Sequence, residues 1–68
     1  MNIAWIEQLI GQACAALRID RERVDWSWDE SYSTARIRLR LATSSETEAL
    51  SRWMGVHGSF SVDVEASA

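Results

Sequence analysis

The chain has 68 residues, with seven Arg and no Lys set against ten Asp or Glu, a net charge of −3 and 47% apolar residues. That balance excludes a disordered tail and a membrane segment, and it fits one small soluble domain spanning residues 1–68. A domain of this size buries only about 60% of the surface its unfolded chain exposes, so bulky side chains or a partner must supply apolar contact.

Taken in chain order, Ile3, Ile6, Leu9, Ile10, Ala13, Cys14 and Leu17 recur at spacings of three and four, which predicts an amphipathic helix from Asn2 to Leu17 with Asn2 as N-cap. Trp5 falls about 110° from the centre of that stripe and is expected at its margin, half exposed. Gly11 lies mid-helix, where close packing against a sheet would account for it. A charged connector, Asp20-Arg21-Glu22-Arg23, follows. Val24-Asp25-Trp26-Ser27-Trp28-Asp29 then alternates with period two, as does Thr34 to Leu41, and Glu30-Ser31-Tyr32-Ser33 supplies the turn between them. Ser45-Glu46-Thr47-Glu48 reads as a capping box opening a second helix, which buries Ala49, Leu50, Trp53 and Met54 and ends at Gly55. A last alternating segment runs from Ser59 to Glu65.

The predicted architecture is α+β: an α-β-β-α-β domain whose three-stranded mixed sheet carries two helices on one face. Val24, Trp26, Trp28, Ile37, Leu39, Leu41, Phe60, Val62 and Val64 point inward. The outer face carries Asp25, Ser27 and Asp29 on the first strand, Arg36, Arg38 and Arg40 on the second, and Ser59, Ser61, Asp63 and Glu65 on the third. Opposite charges across neighbouring strands stabilise and like charges destabilise. The Arg strand therefore belongs in the middle, giving strand order 1-2-3 with the last two strands parallel and joined right-handedly through the second helix.

No paired catalytic group stands out. His57 is the single histidine, without a nucleophile or base at a suggestive spacing, and Cys14 reads as a small buried hydrophobe. One cysteine builds neither a disulfide framework nor a zinc site, so no cofactor or metal is expected and a reducing cytoplasm fits best. The first twenty residues lack a basic leader, and Glu7, Gln8 and Gln12 interrupt the apolar run a targeting signal or span requires. Nine Ala and seven Arg without Lys point to a GC-rich bacterial or phage gene, and structured segments from end to end read as a free-standing product.

Gly55-Val56-His57-Gly58 matches GxxG after a helix and before a strand. With the order of elements, it resembles a truncated type II KH domain, an RNA-binding family with a mixed three-stranded sheet. KH domains place this loop between two helices and carry a basic residue near it; here a strand follows at once and Val56 and His57 fill the loop. The resemblance implies an RNA-binding alternative through Gly55, His57 and Gly58.

The leading expectation is a non-catalytic protein-interaction module. Contact would run through Trp5, through Tyr32 at the hairpin tip and through the Arg36, Arg38, Arg40 stripe, with a protein partner or a second copy of the chain. The mild acidity and the carboxylates flanking the stripe disfavour nucleic acid. Small free-standing bacterial and phage proteins are often inhibitors or accessory subunits, and an anti-CRISPR-like inhibitor of a host nucleoprotein complex is the specific form expected.

Overall fold

The computed structural model describes residues 4–67. Helix α1 (Ala4–Leu17) is followed by a single 3-10 turn (Arg21–Arg23), the hairpin β1 (Val24–Asp29) and β2 (Thr34–Arg40), helix α2 (Ser44–His57) and strand β3 (Ser61–Ser67). The sheet order is β1-β2-β3, with β1 antiparallel and β3 parallel to the central strand. This is the α+β arrangement that the periodicity predicts, with the strand order that the alternation of charge called for. The proposed N-cap Asn2 and the first stripe residue Ile3 lie outside the described residues.

One core holds the layers together. Helix α1 contributes Ile6, Leu9, Ile10, Ala13 and Cys14, α2 contributes Leu50 and Met54, and the sheet contributes Val24, Ala35, Ile37 and Leu39. Trp26, Trp28, Trp53, Phe60, Val62 and Val64 pack against this cluster but stay half-buried, so the Trp residues border the core where the pattern had put them inside it. Ile19 joins the core through a helix ending the sequence did not announce. Arg18 takes a left-handed φ of 58°, and the Ile19 N–H donates to the Cys14 carbonyl at 2.9 Å. That is a Schellman ending, with Arg where glycine is usual.

The structure corrects five local expectations. The capping box sits two residues earlier: the Thr43 hydroxyl accepts from the Glu46 N–H at 3.1 Å, and the Glu46 carboxylate accepts from the Thr43 N–H at 3.0 Å. Both Thr43-x-x-Glu46 and Ser45-x-x-Glu48 satisfy the motif, and Arg23 selects the first by gripping Glu46 through Nη1 at 3.1 Å and Nη2 at 3.0 Å. Leu41 is not inward but 74% exposed, because its φ of 56° turns the chain out of β2 at Arg40; Arg23 Nη2 donates to the Leu41 carbonyl and the Leu41 N–H donates to Ser67. Gly55 does not end α2. The helix runs on to His57, and Gly58 caps it in an extended conformation. Finally, no packing demands Gly11, since a Cβ there would meet nothing within 4 Å. β3 also begins at Ser61, leaving Phe60 just ahead of the strand.

Candidate protein-contact surface

The register places three chain segments at one end of the sheet. Asp29 pairs with Thr34 at the hairpin, and Thr34 pairs with Ser61, so the Glu30–Ser33 loop, the end of β1 and the start of β3 lie together. The hairpin loop is held by its own polar groups. The Ser31 N–H donates to Asp29 Oδ1 at 3.0 Å, the Thr34 hydroxyl donates to the Tyr32 carbonyl at 2.9 Å, and Ser33 takes a left-handed φ of 48°. The Tyr32 backbone is thus fixed while its ring is 72% exposed.

Beside it, Phe60 is the centre of an aromatic group. Trp5 meets the Phe60 ring edge-to-face at 5.2 Å and 76°, and Trp28 meets it at 5.9 Å and 78°. This geometry sets the positive edge of one ring on the negative face of another. Gly58 makes it possible: a Cβ at this position would lie 3.1 Å from two Phe60 ring carbons. Trp5 remains 37% exposed, as its marginal place on the helix stripe predicts.

The outer sheet face is a lattice of ion pairs. Arg36 bridges Asp29 at 3.0 Å and Asp63 at 3.3 Å, Arg38 pairs with Glu65 at 3.1 Å, and Arg40 reaches Asp25 at 3.7 Å. All four carboxylates that the strand order was meant to engage do engage. Each exposed pair is worth about 0–1 kcal/mol, so the lattice sets charge more than stability. Arg36 borders the aromatic end, whereas Arg40, opposite Ser67, lies at the far end of the sheet. The three Arg therefore do not form one patch with Trp5 and Tyr32.

Gly55 and His57 belong to the last turn of α2 and not to a loop between helices. His57 stacks on Trp53 with ring centroids 3.9 Å apart, and its Nδ1–H donates to the Trp53 carbonyl at 2.9 Å. Trp26, at the edge of the core, donates its indole N–H to Glu7, which also pairs with Arg21; these two contacts, the indole first, hold the Glu7 carboxyl below its usual range. Burial pushes the Cys14 thiol up from its ordinary value. Among the described residues no cluster of His, Cys, Asp and Glu is disposed to hold a metal, and no helix is long and apolar enough to cross a membrane.

Sequence reasoning assigned Trp28 and Phe60 to the core and so missed them as surface-forming residues. Their signal was positional. Trp28 is the last apolar residue before the hairpin loop, and Phe60 stands between Gly58 and the strand, so both lie at one end of the sheet and stay half-buried. No protein-family profile, curated protein or solved structure matches the chain.

Proposed function

We propose that this domain is a non-catalytic protein-interaction module, an inhibitor or accessory protein encoded by a bacterium or a phage and acting in the cytoplasm. It acts through the aromatic end formed by Trp5, Trp28, Phe60 and Tyr32. The observation that carries this reading is the Trp5–Phe60–Trp28 group, pre-ordered edge to face and partly open, beside the exposed Tyr32 ring. Aromatic anchors already fixed in place lose little conformational freedom on docking, which is why Trp and Tyr dominate binding hot spots. Arg36, paired to Asp29 and Asp63 at the rim, supplies a polar border that excludes unsuited partners.

An anti-CRISPR-like inhibitor would meet a host nucleoprotein complex. The paired state of Arg36, Arg38 and Arg40 favours the protein component of such a complex over its nucleic acid, because phosphate would have to displace carboxylates already in place.

A tagged pull-down from a GC-rich bacterial lysate, with and without nuclease, tests the proposal. A stoichiometric protein partner that survives nuclease and is lost from a Trp5→Ala/Tyr32→Ala variant of native circular dichroism is the expected result. Recovery of RNA alone, abolished by nuclease, would overturn it in favour of the KH-like alternative at Gly55, His57 and Gly58. Sedimentation of the purified protein separates self-association through the same rings from binding of a foreign partner.

A further inference from the structure

One position on the open edge of β1, Val24, is covered locally. At β1, both edge groups of Val24 are engaged by one residue: its N–H donates to the Arg21 carbonyl, and its carbonyl accepts from Arg21 Nη1 at 2.7 Å. Among the described residues, β3 pairs only with β2. The Ser67 carbonyl accepts from the Leu41 N–H at 2.8 Å, so the backbone groups of Ser67 face β2. Because a strand alternates with period two, the N–H and carbonyl groups of Val62, Val64 and Ala66 face the other way, along the open edge.

A groove of about 630 Å³ follows this edge, between β3 and the first turns of α2, with Ala42, Thr47, Ser51, Val64 and Ala66 in its walls. The residues on its helical rim, Glu48 and Arg52, pair with each other at 3.2 Å and add no net charge. On the outer face of the same strand stand Asp63 and Glu65. Asp63 meets Arg36 through Oδ2 and Glu65 meets Arg38 through Oε1, leaving the second oxygen of each carboxylate to receive another cation.

The geometry points to β3 as an acceptor edge for an added strand: an extended segment of a partner protein, with small apolar side chains alternating with Arg or Lys. Its backbone pairs with Val62, Val64 and Ala66, its apolar side chains fill the groove under α2, and its cations repeat on the open side of β3 what Arg36 and Arg38 do on the other. A second copy of the chain is the wrong occupant. Antiparallel pairing of two β3 strands about Val64 sets Asp63 against Glu65, and parallel pairing sets each carboxylate against its own copy. This edge is distinct from the aromatic end, so the inference does not depend on that surface.

The test uses a labelled seven-residue peptide alternating Val and Arg, read by fluorescence anisotropy on the full chain. Two further peptides carry backbone N-methyl groups, one on every Val and the other on every Arg. Only one set of amides faces β3, so one methylated peptide should bind as the parent does while the other weakens about tenfold or more, the expected effect of losing several backbone hydrogen bonds. A peptide alternating Val and Glu should weaken comparably. Val64→Pro removes an edge N–H without touching the β2 ladder and should abolish binding, whereas Trp5→Ala/Tyr32→Ala should keep it. If Val64→Pro fails to fold, the methylated pair decides. No binding of the parent peptide, equal behaviour of the two methylated peptides, or equal binding of the Glu peptide would each overturn the inference. So would a homodimer that Val64→Pro dissolves.

Discussion

The three glycines give the sharpest test of how local geometry sets stability. Gly11 lies mid-way along α1 and Gly55 in the last turns of α2, and a Cβ added at either meets nothing within 4 Å. Glycine in a helix is disfavoured relative to alanine by about 1 kcal/mol, chiefly through backbone entropy, and neither site needs a positive φ. Gly11→Ala and Gly55→Ala should therefore each stabilise by about 0.5–1 kcal/mol, raising Tm by several degrees, about 4–8 °C per kcal/mol in a domain of this size. The two changes sit on different helices and should add. Gly58 is the contrast. Its φ of −95° suits any residue, but a Cβ would stand 2.9 Å from the Met54 carbonyl oxygen and 3.1 Å from the Phe60 ring. Gly58→Ala should destabilise by about 1–3 kcal/mol, the range for overfilled sites, and should shift Trp emission as Phe60 is pushed from Trp5 and Trp28. Urea unfolding followed by circular dichroism and Trp fluorescence measures all three. If Gly55→Ala costs as much as Gly58→Ala, the last turn of α2 is not helical as described, and the reasoning fails.

Acid should weaken the fold through Glu46, whose carboxyl is held down to about 2 from an ordinary 4.5 by Arg23 first and by the Thr43 N–H second. Because the folded value lies below the unfolded one, this contribution is complete above about pH 4.5 and is lost as pH falls toward 2. Glu46→Gln should flatten that part of a plot of urea midpoint against pH. Leu41→Gly should stabilise by about 0.5–1 kcal/mol, since the side chain is exposed and its left-handed φ of 56° strains any residue with a Cβ; thermal melts would show it. Ile37→Ala, at a fully buried site on the central strand, should cost about 2–5 kcal/mol. Total stability is only about 0.05–0.15 kcal/mol per residue, so this variant should populate the unfolded state at 25 °C by near-ultraviolet circular dichroism.

The order of elements and the topology of the sheet were both legible because they rest on periodicity and on charge, which a sequence displays directly. Period two in Val24–Asp29 and Thr34–Arg40, and spacings of three and four in α1, are properties of neighbouring residues. The central place of β2 followed from one electrostatic comparison, and Arg36, Arg38 and Arg40 carry it out with Asp25, Asp29, Asp63 and Glu65. Of the proposed contact residues, Trp5 and Tyr32 could be read as exposed from their positions on a helix margin and a turn. Trp28 and Phe60 could not, because alternation assigns a side chain to a face without saying how far along the sheet the helices reach.

Tertiary structure decided wherever two local solutions satisfied the same pattern. Thr43 and Ser45 both open a valid capping box, and the choice fell to Arg23, which binds Glu46 from twenty-three positions away in the chain while tying down the Arg40 and Leu41 carbonyls. That bond network also turned Leu41 out of the strand and set where α2 begins. Arg18 could end α1 left-handed because Ile19 gains a buried site by it, a compensation no neighbouring residue reveals. The sequence by itself determined which face each element buries, since that depends on repeating intervals along the chain. Where each element stops, and which side chains meet at the aromatic end and along the open edge of β3, depended on contacts between residues far apart in sequence.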